Sequence, residues 1–162
     1  MIIQNRYFIL VIVVGIVFPL DQITKLFIDR HLELHQSIDI IENYLNITYI
    51  YNSGIAFGFL GGINNPIWKS IFIVVSLGAI TLILTILKSL EEELTLFAVA
   101  LSLILAGALG NIVDRIRLGA VIDFLDFHIY SYHWPAFNVA DSSITVGGLM
   151  LLFYQINKMF KG

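Results

Sequence analysis

The chain has 162 residues, of which 58% are hydrophobic and 13% charged, and its formal net charge is −3. A soluble domain carries about 25% charged residues, so this chain lacks the polar groups to cover a globular surface, and lipid must be its main solvent. It has no basic run to neutralise phosphates, which argues against nucleic acid, and with no cysteine it has no disulfide, thiolate metal site or cysteine nucleophile.

A membrane-crossing helix takes about 20 mostly apolar residues, and four runs qualify. The first covers 7–28, after Arg6. No small-x-small cleavage site follows it, and Asp21 and Lys25 interrupt where one would fall, so it reads as a retained helix. The long segment 29–66 comes next. Within it, Tyr44-Leu45-Asn46-Ile47-Thr48-Tyr49-Ile50-Tyr51 is rich in β-branched and aromatic residues and reads as a strand. Gly54, Gly58, Gly61 and Gly62 then suggest turns, so a small sheet resting on the membrane is expected. The second span, 67–87, starts after Pro66, a natural first helical residue. Lys88-Ser89-Leu90-Glu91-Glu92-Glu93 makes a short polar link to the third span, 94–112. Segment 113–138 carries Tyr130, Tyr132 and Trp134, which suit an interfacial aromatic belt. The fourth span is 139–158.

With four spans, the two long segments share one side. The expected architecture is a single-domain, all-α integral membrane protein: four transmembrane helices with a small extracytoplasmic β-rich segment. Arg6, Lys88, Lys158 and Lys161 fall in short segments on one face, and Lys25, Arg30, Lys69, Arg115 and Arg117 fall on or beside the other. The totals nearly balance, but the first set is denser, which places both termini in the cytoplasm.

Ionisable residues at the centre of a span cost roughly 2.5–3.5 kcal/mol each, so each asks for a partner or a function. Asp21 and Lys25 are four apart and share a helix face. They are either a neutralised pair that holds the bundle or part of the chemistry. The third span ends in Gly110-Asn111-Ile112-Val113-Asp114-Arg115. Ser102, Ala106 and Gly110 form a stripe of small residues that lets a neighbouring helix come close. Asp114 stands next to Arg115, a cation that favours its ionised form, so it reads as a structural or substrate-binding group. Arg115 is either a ligand for a carbonyl or head group, or an interfacial side chain reaching for water.

In Val121-Ile122-Asp123-Phe124 the carboxylate has only apolar neighbours, and desolvation favours its neutral acid. Asp126, before Phe127 and His128, reads as part of an exposed loop. In Phe137-Asn138-Val139-Ala140-Asp141-Ser142-Ser143, Asn138 or Asp141 can cap the fourth helix and offset its dipole. With Asp123 on the same membrane face, Asp141 admits a second reading. Two carboxylates in a poorly hydrated site share one proton and can act at once as general base and general acid. His128 and His133 with Asp126 lack a third ligand at convincing spacing for zinc. A channel or transporter using Asp21, Lys25, Asp114 and Asp141 is the rival reading, and the clustering of the carboxylates near one face speaks against it.

Five motifs in order resemble the bacterial lipoprotein signal peptidase family, also called signal peptidase II. They are Asp21-Gln22-Ile23-Thr24-Lys25, Asn52-Ser53-Gly54-Ile55-Ala56-Phe57, Gly110-Asn111-Ile112-Val113-Asp114-Arg115, Val121-Ile122-Asp123-Phe124 and Phe137-Asn138-Val139-Ala140-Asp141-Ser142. The resemblance implies an intramembrane aspartic endopeptidase that cleaves diacylglyceryl-modified prolipoproteins before the lipidated cysteine, on the outer face of the cytoplasmic membrane. It implies Asp123 and Asp141 as the catalytic aspartates. Asn52, Gly54, Asn111, Asp114, Arg115 and Asn138 would line the substrate pocket, with Asp21 and Lys25 as a supporting pair. It implies no metal or other cofactor, and inhibition by the cyclic peptide globomycin. A monomer surrounded by membrane lipids is expected, with the strand-rich 29–66 segment covering the site. Ile122 stands where Val is more usual and Ala120 where a larger residue is common; neither removes a functional group.

Overall fold

In lipid the backbone polar groups have no water to bond, so apolar runs must close their hydrogen bonds internally as helices. The computed structural model describes residues 5–53, 66–90 and 95–161. In chain order its elements are α1 (Asn5–His31), β1 (Ser37–Ile41), β2 (Leu45–Asn52), α2 (Pro66–Ser89), α3 (Thr95–Leu118), β3 (Val121–Ile129), β4 (Tyr132–His133) and α4 (Val139–Lys161). All four helices are long and apolar enough to cross a membrane. Their outward faces, such as Val11, Ile16 and Ile23 on α1 or Leu149 and Phe153 on α4, are exposed apolar surface suited to lipid.

α3 is the central helix: 56% of its spanning window is buried, against 6%, 11% and 17% for α1, α2 and α4. Small residues make this possible. A Cβ on Gly107 would run into the Ala140 carbonyl and the Ser143 hydroxyl, and one on Gly110 would run into the Asp21 carboxylate. Ile83, Leu87, Ala98, Leu101 and Leu105 form an apolar core between α2 and α3, with Ile9, Leu10 and Val14 of α1 packed against it.

α3 runs to Leu118 instead of ending near 112, because the polar residues of its last turns find partners within the bundle. It stops at Gly119, which adopts φ 79° and donates its N–H to the Arg115 carbonyl at 3.1 Å. This is a left-handed helix terminus that glycine adopts without strain.

The sheet is larger than the sequence suggests. It has four strands in the order β1-β2-β3-β4, every pair antiparallel, and it joins both long segments. Asp123 therefore sits on a strand and not in a loop. Asp126, expected in an exposed loop, is also on β3; it accepts hydrogen bonds from Asn46 at 3.1 Å and His133 at 2.9 Å. A second core of Ile28, Tyr49, Ile122 and Phe124 fastens the sheet to the end of α1. Gly54, Gly58, Gly61 and Gly62, with the expected turns and cover, lie outside the described residues.

Gly107→Ala should destabilise the detergent-solubilised protein by about 1–3 kcal/mol, the usual range for overpacking. Gly78→Ala and Gly148→Ala, where an added Cβ meets nothing within 4 Å, should leave the melting temperature unchanged or slightly higher. Similar melting curves for all three variants would contradict the close α3–α4 approach.

Candidate active site

The polar layer begins with a lysine. Lys25 Nζ lies 2.9 Å from Asp21 Oδ2 and 2.9 Å from Asp114 Oδ2, and it donates to Asn111 Oδ1 at 3.0 Å. An ammonium has three protons and no acceptor, so its capacity is fully used. All three charged groups are sealed inside the bundle: Asp21 is 0%, Lys25 2% and Asp114 1% exposed. One cation against two carboxylates leaves surplus negative charge, which neutral donors absorb. Ala140 N–H reaches Asp21 Oδ1 at 2.9 Å, and Ile122 N–H reaches Asp114 Oδ2 at 3.3 Å. Gln22 Nε2 reaches Asp21 Oδ2 at 3.1 Å and Asp114 Oδ1 at 3.3 Å.

Asn111 passes this order outward. Because Lys25 can only donate, the Asn111 carbonyl must face it. The amide NH2 then turns to Asp141 Oδ1, at 2.8 Å. Asn138 is the second relay. Its Oδ1 accepts the Asp141 backbone N–H at 2.8 Å, the bond an N-cap residue makes to the third helical position. Its Nδ2 donates to Asp123 Oδ1 at 2.7 Å. One amide therefore caps α4 and holds both acidic residues, Asp123 by its carboxylate and Asp141 by its backbone. Asn52 Nδ2 completes the shell by donating to Asp123 Oδ2 at 2.9 Å.

The two carboxylates have different surroundings. Asp123, on β3 outside the spanning helices, is 2% exposed. Burial pushes its pKa up to about 6; Asp141 adds to the rise, while the Asn52 and Asn138 amides and Lys25 pull against it. Asp141 is half-buried in the first turn of α4, where the helix N-terminus presents partial positive charge. It opens on a groove of about 520 Å3 bounded by Ser142, Thr145 and Val146 of α4 and by residues 134–137. A larger cavity of about 630 Å3 at the β3–β4 corner, between Tyr44, Tyr132 and Trp134, contains neither carboxylate.

Asn52, Asn111, Asn138, Asp123 and Asp141 thus form one connected set, with Asp21, Lys25 and Asp114 directly behind it. Asp114 faces Lys25 and the Ile122 amide, not the groove. The cation that neutralises it is Lys25, because consecutive helix residues such as Asp114 and Arg115 point in different directions. Arg115 is half-buried, with its guanidinium 5.3 Å from the Phe72 ring centroid and Nη1 3.4 Å from the Asn111 backbone carbonyl. Gly54 lies outside the described residues. Sequence reasoning missed Gln22, which stands inside the Asp21–Lys25 motif but carries no charge to draw notice.

The chain matches the family described as Signal peptidase (SPase) II over residues 13–157. It is 48% identical over 147 residues to a lipoprotein signal peptidase of Syntrophus aciditrophicus, covering 91% of each chain. It is also 48% identical over 153 residues to one of Geobacter metallireducens, covering 94% of this chain and 93% of that one. Among solved structures, a bacterial membrane enzyme obtained by the in meso method superposes with a TM-score of 0.79 at 33% identity, covering 98% of this chain and 92% of that one.

Lys25→Met leaves Asp21 and Asp114 facing each other without a cation, and breaking a buried pair this way typically costs about 3–5 kcal/mol. The variant should melt far below the parent in detergent. Asp114→Asn added to it should recover part of the loss, as a thermal scan of the single and double variants would register.

Proposed function

The chain belongs to the signal peptidase II family, and on that premise we propose that it is an aspartic endopeptidase, with Asp123 and Asp141 as the pair that cleaves diacylglyceryl-modified prolipoproteins before the lipidated cysteine. The observation that carries the assignment is the Asn138 side chain, bonded at one end to the Asp123 carboxylate and at the other to the Asp141 backbone.

Asp123, sealed and with its pKa raised, holds the proton. Asp141, beside the groove, is the base. The scissile carbonyl oxygen receives the Asp123 proton while Asp141 takes a proton from water, and the water oxygen bonds to the carbonyl carbon. As the resulting diol collapses, the C–N bond breaks. The Asp141 proton moves to the leaving amine of the lipidated cysteine, and a hydroxyl proton returns to Asp123. Each carboxyl ends as it began. Lys25 takes no proton in this sequence; it keeps Asn111 turned so that one Asp141 oxygen is held and the other is left for water. Arg115 and Gly54 are assigned to the substrate backbone, and Asn52 to the Asp123 carboxylate.

Both termini are assigned to the cytoplasm and the dyad to the extracytoplasmic boundary. Arg6 donates to the Leu90 carbonyl, so the start of α1 and the α2–α3 connection share an end of the bundle, and the short basic segments collect there. The sheet and the dyad lie at the other end. The acyl chains of the substrate stay in the outer leaflet while its scissile bond sits at the membrane surface. Globomycin is expected to occupy the same groove, and the protein to act as a monomer.

Asp123→Asn and Asp141→Asn should each lower kcat about 10^2–10^4-fold, the usual contribution of general acid–base groups, while the protein still inserts and folds. A gel assay with diacylglyceryl prolipoprotein, with and without globomycin, reads both effects, and full cleavage by either variant removes the dyad. The acid role of Asp123 needs its protonated form, which is present below about 6 and lost as pH rises through that value. The basic limb of kcat/KM should lie there.

A further inference from the structure

Strand β2 carries one residue more than β3 matches. Up to Ile47 the pairs are Leu45–Phe127, Asn46–Asp126 and Ile47–Leu125; from Ile50 they are Ile50–Asp123, Tyr51–Ile122 and Asn52–Val121. Thr48 and Tyr49 therefore stand opposite Phe124 alone, which is a β-bulge. Side chains alternate faces along a strand, so one extra residue exchanges the faces of everything beyond it. Without the bulge, Tyr51 would share the face of Asp123. With it, Asn52 reaches the Asp123 carboxylate as a diagonal neighbour. Tyr51 turns to the opposite face, its ring 5.4 Å from that of Tyr49.

The bulge is clamped to the end of α1 and the turn after it. Tyr49 N–H donates to the Gln36 carbonyl at 3.0 Å, and the Tyr49 carbonyl accepts His35 N–H at 2.8 Å. Thr48 Oγ1 also donates to the Gln36 carbonyl, at 3.3 Å. His35 takes φ 69° to do this, a conformation uncommon outside glycine. The Tyr49 ring is buried against Ile28, Ile122 and Phe124, and its phenol donates to Asp29. Burial, and then the Asp29 bond, raise the phenol pKa well above its usual value, so it stays a donor. The proposed reaction uses none of these groups.

We propose that the clamped bulge is the element that sets Asn52 on Asp123, and that Tyr49 and Asp29 are positioning residues for the dyad. This rests on the dyad reading above. Asp123 is also faced by Asp141 from α4, Lys25 from α1 and Arg115 from α3. None of them belongs to β2, so loosening the bulge withdraws the Asn52 donor alone. Losing a donor to the carboxylate favours the protonated acid, which moves the basic limb to higher pH.

The test uses the full-length protein with diacylglyceryl prolipoprotein. Tyr49→Phe keeps the ring and removes the phenol. It should raise the basic limb by about half a pH unit, through a weakened charge-assisted hydrogen bond. It should also lower kcat about tenfold through misplacement of the acid, with KM within about twofold. Asp29→Ala should do the same, and it carries the test should Tyr49→Phe fail to fold. Asn52→Ala should shift the limb the same way, and adding Tyr49→Phe to it should shift it no further. A folded Tyr49→Phe or Asp29→Ala protein with a lower melting temperature but an unmoved limb overturns the proposal, as does an additive shift in the double variant. Failure of the dyad reading itself would show separately, as cleavage by Asp123→Asn.

Discussion

A lysine ammonium enclosed in a lipid-embedded bundle admits very few arrangements, and Lys25 has taken one in which each of its protons meets an acceptor. Much of the bundle follows from that requirement. α1 must bring Asp21 and α3 must bring both Asn111 and Asp114, so α3 stays helical through residues that hydropathy alone would leave in a loop. α4 must come close enough for the Ala140 N–H to serve Asp21. Gly110 must lack a side chain because the Asp21 carboxylate occupies that space. A buried ion cluster is weak evidence of stability, since the desolvation of its charges opposes their attraction. Its effect here is to restrict how the helices can fit together.

The same restriction sets the direction of the chemistry. An asparagine amide looks alike at both ends, and its neighbours decide which end is oxygen. Lys25 decides for Asn111, and the Asp141 backbone N–H decides for Asn138. Both NH2 groups therefore point at carboxylates. Two acids of the same type thereby sit in unequal surroundings: one is sealed, and the other lies beside open space at a helix N-terminus. Separating like groups by environment is the general means by which a pair of carboxyls divides acid and base work.

The helices were legible from hydropathy, and Asp21 with Lys25 from their spacing, because both depend on neighbours within a turn or two. Asp123 stood out through its apolar flanks, and Asp141 as a cap candidate at the start of the fourth span on the same membrane face. β3 did not, because Asp123 and Asp126 interrupt an otherwise β-branched and aromatic run and its partner β2 is far away in sequence. The partner of Asp114 was hidden for a related reason: Arg115 is adjacent in the chain but turned away, and Lys25 comes from another helix. Tyr49 and Asp29 gave no sign, since a bulge exists only once two strands are paired.

The groove beside Asp141 is bounded on one side by the flank of a helix that crosses the membrane. A ligand anchored in the bilayer reaches such an opening by sliding in a plane, not by diffusing through a volume. Molarity then ceases to describe what the site encounters. Saturation depends on the mole fraction of anchored molecules among all lipids, so added inert lipid dilutes them even when nothing in the tube changes volume. Any affinity assigned to this groove is a property of the surface it shares with its ligand.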